Sequence, residues 1–152
     1  MGVIRLGSAD LGAMRALNAL FADAFEDSES YSANPPESSY LERQLANPAT
    51  IVLVFEEDDG TVAGGLVAYE LAKLERARSE VYIYDLAVAE TYRRRGIATA
   101  LINELKDVAR NAGAWVVYVQ ADYGDEPAIA LYTKLGTREN VMHFDIDVET
   151  NG

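Results

Sequence analysis

An α/β fold built on a mixed sheet is predicted by three features of the sequence. An apolar run over 81–88 leads into a basic glycine turn, an amphipathic helix over 96–112 and a second apolar run over 115–119. Strand, helix, strand in that order calls for a parallel pair joined by a crossover. Upstream, the runs 51–55 and 62–69 flank the acidic Glu56-Glu57-Asp58-Asp59-Gly60, whose Asp-Gly turn marks an antiparallel hairpin.

Each element has a local reason. Residues 3–6 read as a short first strand. Ser8 caps a helix whose Leu11, Met14, Leu17, Leu20, Phe21 and Phe25 keep helical spacing. Residues 27–36, rich in Ser, Asn and Pro, read as a loop, and Ser38 or Ser39 opens a second short helix through Leu41 and Leu45 that ends at Asn47-Pro48. These two helices and their link would form a wall over a cleft. In the central helix Ile97, Leu101, Leu105 and Val108 share a face, and Gly113 stops it. A helix over 126–135 ends at Gly136. Residues 141–148 then alternate, Met142, Phe144, Ile146 and Val148 on one side and His143, Asp145 and Asp147 on the other, predicting a final strand. The reading is six strands and four helices in a single domain over residues 1–152.

The chain has 152 residues, 49% hydrophobic and 25% charged, as in ordinary globular proteins. No apolar run approaches the roughly 20 residues of a membrane helix, and no secretory leader is expected, so a cytoplasmic address is. With no cysteine there is no disulfide, thiolate nucleophile or thiolate metal site. Net charge is −12, from 25 acidic and 13 basic residues, which disfavours nucleic acid and anionic membranes and favours a cationic partner. Acidity that serves solubility alone is an open alternative.

Against that acidity, Tyr92-Arg93-Arg94-Arg95-Gly96-Ile97-Ala98-Thr99 places three guanidinium groups at a helix start. Unpaired first-turn N–H groups and the helix dipole favour a phosphate there, while cations oppose the dipole and so call for a reason. The turn from Arg94 to Thr99 can offer successive N–H groups, with Gly96 allowing close approach; the other reading is a solvated helix start. Asp85 interrupts an apolar strand, where an ionised carboxylate is costly unless paired or pushed toward its neutral form. Either it pairs with an arginine, or it has a chemical role.

Arg93, Gly96 and Ala98, set between strand and helix, match the Arg/Gln-x-x-Gly-x-Gly/Ala signature, and Ala130-Leu-Tyr-Thr-Lys-Leu-Gly136 matches a second motif; the chain resembles the GCN5-related N-acetyltransferase (GNAT) superfamily along essentially its whole length. The resemblance implies a mixed, mostly antiparallel sheet of six to seven strands with about four flanking helices. It implies acetyl-CoA as donor and no metal. Coenzyme contacts would fall to Arg93, Arg94, Arg95, Gly96, Ile97, Ala98 and Thr99, and to the backbone of Leu86, Ala87 and Val88. Asp85 would take the proton of the acceptor ammonium, directly or through water. Tyr132 would either protonate the departing thiolate or be a core tyrosine. Without a cysteine, direct transfer in a ternary complex is favoured over an acyl-enzyme.

A closer likeness covers 82–88, 95–103, 118–125 and 141–147, which resemble aminoglycoside 3-N-acetyltransferases of the gentamicin-resistance type. It implies a polycationic small-molecule acceptor and a homodimer. Carboxylates and phenols suit such a guest, and the candidates are Glu80, Tyr82, Tyr84, Asp122, Tyr123, Asp125, Glu126, Asp145 and Asp147, each with plain solvent exposure as the alternative. His143, the one histidine, is read as an ordinary strand residue. Asp125-Glu126-Pro127 and Thr137 depart from the superfamily's frequent Asn and aromatic at those places. Acetylation of another amine, such as a polyamine or a protein N-terminus, and a non-catalytic acetyl-CoA-binding module are the alternatives.

Overall fold

The computed structural model describes residues 1–149, in two compact units that divide after Gln120. The first carries strand β1 (Gly2–Arg5), helices α1 (Leu11–Ala24), α2 (Ser28–Tyr31) and α3 (Ser38–Ala46), strands β2 (Thr50–Glu56), β3 (Val62–Ala72) and β4 (Ser79–Val88), helix α4 (Ile97–Ala112) and strand β5 (Ala114–Val119). The sheet order follows the chain, β1-β2-β3-β4-β5. The first three junctions are antiparallel and β4–β5 is parallel through α4, as the strand-helix-strand order predicted.

Two adjacent glycines of β3 show how the helices are layered. A Cβ on Gly65 would lie 2.6 Å from Leu17 Cδ1 of α1, and one on Gly64 would lie 3.2 Å from Ile97 Cγ2 of α4. Neighbouring strand residues point to opposite faces, so α1 and α4 cover opposite sides of the sheet. On the α1 face Met14, Leu17, Phe21, Leu41 and Leu45 pack against Val52, Val54 and Val67. Opposite them Leu53, Leu66, Val81, Leu101 and Leu105 are fully buried. Each such side chain contributes about 1.5–3 kcal/mol relative to exposure.

Strand β4 has two irregularities. The pairing with β3 runs Ala68↔Ile83 and then Val67↔Asp85, so Tyr84 is an extra, bulged residue. Beyond Ile83, β4 has no partner on its β5 side among the described residues, because the parallel ladder ends at Ile83↔Val119. The strand edge from Tyr84 to Val88 therefore opens a gap in the sheet.

The second unit holds helix α5 (Glu126–Leu135), capped by the Asp125 carboxylate accepting from the Ala128 N–H at 3.4 Å and carrying Pro127 in its first turn. Residues 137–149 form no regular structure. The strand predicted over 141–148 is thus absent, and the sheet has five strands among the described residues, not six or seven. The alternation is real, with Met142, Phe144, Ile146 and Val148 all exposed, but alternation makes a strand only when a neighbouring edge takes its hydrogen bonds. There are five α-helices among the described residues, not four: the expected loop over 27–36 contains the single turn α2. Its Asp27 side chain accepts from the Ser30 N–H at 3.1 Å. No helix among the described residues is long and apolar enough to cross a membrane.

Candidate active site

The chain between β4 and α4 turns through a one-turn 3-10 segment (Glu90–Tyr92) and then through two left-handed residues, Arg94 at φ 65° and Gly96 at φ 76°. A non-glycine residue there costs about 1–2 kcal/mol, so Arg94 is held by its surroundings. Within α4 the first hydrogen bond is Ala100 N–H to Gly96 C=O, at 3.0 Å, and no side chain caps the helix. The N–H groups of Arg94, Arg95, Gly96, Ile97, Ala98 and Thr99 consequently have no partner among the described residues. A Cβ on Gly96 would meet nothing within 4 Å, so the space over these amides is open. Six donors without partners around a helix start are an arrangement that favours an anion such as a phosphate.

The guanidinium groups are placed differently from a threefold grip on an anion. Arg95 forms an ion pair with Glu57 at the β2–β3 hairpin tip, and its Cζ lies 5.6 Å from the Tyr92 ring centroid. That acidic tip is thus tied to the turn. Arg93 Nε donates to the Val88 carbonyl at 3.1 Å, bracing the end of β4. Arg94 is exposed and makes no hydrogen bond or ion pair among the described residues. The main chain forms the cradle and the arginines chiefly fix its shape.

From this turn the open edge of β4 leads back through Val88, Ala87 and Leu86 to Asp85. Asp85 is half-buried on the same face as Val67, among the residues packed under α1. The arginine partner that would make it structural is absent among the described residues. Its partner is a phenol: the Tyr31 hydroxyl donates to Asp85 Oδ1 at 2.6 Å. Burial pushes the Asp85 carboxyl above the usual carboxylate range, and the Tyr31 hydrogen bond opposes that rise. Tyr31 is raised in turn by burial and by the charge of Asp85.

Sequence reading missed Tyr31 because it lies inside a polar loop. Its ring packs edge-on to Phe21 at 5.8 Å and against Phe25 at 5.5 Å, which holds α2 to the end of α1. The far end of the loop is fastened by Arg15, which donates to the Pro36 carbonyl at 3.1 Å. The available signal was Asp27 three residues before Ser30, a helix-capping spacing.

Beside Asp85 a row of phenols crosses three strands. Tyr69, Tyr82 and Tyr118 are in lateral register on β3, β4 and β5, with Tyr82 and Tyr118 stacked at 4.8 Å. The bulged Tyr84 lies 6.2 Å from Tyr69 and 5.8 Å from Tyr82. Tyr82 donates to Gln120 Oε1 at 3.2 Å, and Tyr84 is 62% exposed. Tyr69 and Tyr118 had not been singled out from sequence. Glu80 accepts from Trp115 Nε1 at 3.1 Å, so its carboxylate is already engaged.

The remaining candidates belong to the second unit. Asp122, Tyr123, Asp125, Glu126, Asp145 and Asp147 are exposed, Asp125 being the α5 cap and Tyr123 lying 5.9 Å from the Arg138 guanidinium. Asp145 meets His143 at 2.8 Å, and Asp147 accepts from the Glu149 N–H at 2.9 Å. Tyr132 is part-buried on α5, its hydroxyl pushed up to about 12 by burial and then by Asp125, so it keeps its proton at neutral pH.

The sequence profile of the acetyltransferase (GNAT) family matches residues 14–137. The structure is similar to that of an aminoglycoside acetyltransferase from an uncultured soil metagenomic sample, at 52% identity over 97% of both chains with a TM-score of 0.94. A second aminoglycoside acetyltransferase from such a sample, solved in complex with sisomicin, is 30% identical over 97% of this chain and 95% of the other, with a TM-score of 0.89. Among curated proteins, an N-alpha-acetyltransferase from Sulfurisphaera tokodaii is 34% identical over 101 residues, 58% of this chain and 60% of that protein. The chain thus spans less than two thirds of that relative. An open amide cradle at the start of α4, the gap it faces along β4 and a profile match across most of the sequence agree, and the chain belongs to the GNAT family of acetyltransferases.

Proposed function

We propose that this acetyltransferase moves the acetyl group of acetyl-CoA to the 3-amino group of a 2-deoxystreptamine aminoglycoside, in a ternary complex without an acyl-enzyme. The observation that carries the reading is a half-buried carboxylate, Asp85, with no cationic partner among the described residues, at the end of the strand edge that runs to the amide cradle. The likeness at 52% identity to an aminoglycoside acetyltransferase, and at 30% to one solved with sisomicin, supports the acceptor class.

The residues fit the donor. The six N–H groups from Arg94 to Thr99 that lack a partner among the described residues would hold its pyrophosphate, and the edge at Leu86, Ala87 and Val88, which has no strand partner on its β5 side among the described residues, would pair with its amide-bearing arm as an added strand pairs with a sheet edge. When bound, acetyl-CoA supplies an acetyl group activated as a thioester. Asp85 attracts the acceptor's ammonium and removes a proton from it, directly or through water. The free nitrogen would then be placed to take the acyl group, with the sulfur leaving as a thiol that carries the proton the new amide nitrogen sheds, passed on through Tyr132. Tyr132, protonated at neutral pH, is assigned the return of a proton to the sulfur on the strength of the superfamily likeness. Tyr69, Tyr82, Tyr84 and Tyr118 offer ring faces for ammonium and sugar C–H groups. Acetylation removes a positive charge that the antibiotic uses to bind RNA, so resistance would follow.

The test is turnover of purified protein with acetyl-CoA and a panel that includes sisomicin, gentamicin, polyamines and peptides, with NMR of the product to locate the acetyl group. Acetylation at the 3-amino position is expected. Turnover confined to peptides or polyamines would overturn the reading. One observation favours acetylation of a protein N-terminus as the second reading: the ribosomal-protein-bS18-alanine N-acetyltransferase of Escherichia coli is 26% identical over 86% of this chain and 77% of that protein. The peptide arm of the panel decides between them.

A further inference from the structure

The Tyr31–Asp85 contact joins two parts of the first unit that are 54 residues apart in sequence, and it is a 2.6 Å hydrogen bond from a phenol to a half-buried carboxylate. Only Oδ1 is engaged; Oδ2 makes no hydrogen bond among the described residues. The phenol is not free to turn away. Its ring is wedged against Phe21, itself fully buried, and Phe25, and its backbone N–H donates to the Asp27 carbonyl at 3.2 Å. A fixed donor on one oxygen restricts rotation of the carboxylate and leaves the other oxygen to face a guest.

We propose that Tyr31 is a positioning residue for the acceptor site, holding Asp85 by one oxygen so that the other is aimed and charged when an ammonium group arrives. This rests on the reading of Asp85 as the proton acceptor. The titratable groups near the carboxylate are phenols: Tyr31 from α2, Tyr69 from β3 and Tyr82 from β4, with Tyr84 its neighbour in the chain. Asp27, at the start of α2, acts on the Tyr31 phenol. No lysine, arginine or histidine among the described residues forms an ion pair with Asp85. Tyr31 is therefore the one hydrogen-bond donor that favours the ionised form, while burial disfavours it.

Tyr31→Phe keeps the ring that Phe21 and Phe25 hold and deletes only the hydroxyl, so the Asp85 carboxyl should titrate at higher pH in the variant. The rising acid limb of kcat/KM should move the same way. We expect the ratio of wild-type to variant kcat/KM to widen several-fold between neutral and mildly acidic pH. A uniform loss across pH, the mark of a merely structural role, would overturn the proposal. A second measurement needs no turnover: the Asp85 carboxyl carbon followed by NMR should titrate with a higher midpoint in Tyr31→Phe than in the wild type, and an equal or lower midpoint would overturn the proposal. Asp85→Asn separates the two ideas. If Asp85→Asn keeps its rate, the reading of Asp85 as the proton acceptor fails and this inference fails with it. If Asp85→Asn is inactive while Tyr31→Phe leaves the pH profile unmoved, only the role of Tyr31 fails.

Discussion

If Asp85 is the proton acceptor proposed above, folding and chemistry pull on it in opposite directions. Burial lifts its carboxyl above the unfolded value, so between those two values the native state binds more protons than the unfolded chain, and stability is lost as pH rises through the folded value. Above the folded value the penalty is fully present. Below the unfolded aspartate range, about 3.9, it is absent. Asp85→Asn is a neutral near-isostere that can still accept from Tyr31, and it should unfold at higher temperature than the wild type at neutral pH. Thermal scans across pH should show the gain shrinking on acidification. The same substitution should cut turnover at neutral pH by roughly 10²- to 10⁴-fold, the usual contribution of a positioned base, with coenzyme affinity by calorimetry nearly unchanged. A variant that is both more stable and less active is what a carboxylate kept for its chemistry predicts.

At the scale of elements, the glycine turn and the sheet place separable demands on two glycines. Gly96→Ala puts a side chain at φ 76°, costing about 1–2 kcal/mol, and projects a methyl group into the open space over the cradle amides. Calorimetry should show weaker coenzyme binding beyond what the small loss of stability explains. Gly65→Ala would drive its Cβ to 2.6 Å from Leu17 Cδ1 and 2.8 Å from the Leu53 carbonyl oxygen, an overpacking worth about 1–3 kcal/mol that thermal unfolding would register. Elements with local causes were legible in the sequence: the Asp-Gly hairpin, the helix stopped by Gly113 at φ 89°, and the parallel pair forced by the crossover. α2 was not, because one turn of helix has little intrinsic stability and is held by the Asp27 cap and by Tyr31 packing on α1. The strand over 141–148 was misread for a related reason, since its pattern says which face would be buried and nothing about which edge accepts it. Within the site, a lone carboxylate in an apolar run gave Asp85 away, whereas its partner, 54 residues earlier, carries no pattern of its own.

Over the whole molecule, a net charge of −12 would act with opposite sign on the two proposed reactants. On the proposed reading a polycationic acceptor would be drawn toward the protein from beyond contact distance, and the anionic coenzyme would approach against the same field until the turn's amides and Arg94 took over. Salt separates these contributions, because the Debye length shrinks from about 10 Å at 0.1 M to about 3 Å at 1 M, which screens long-range attraction and repulsion alike. Raising ionic strength should therefore raise the acceptor's KM several-fold while leaving the coenzyme's KM level or lower, measured under otherwise constant conditions. A small neutral-pH amine carrying a single charge should show a weaker salt dependence than a drug with several. If both KM values rose together, the acidity of the chain would be acting on solubility and not on substrate capture, and acceptor selection would rest on Asp85 and the phenol row alone.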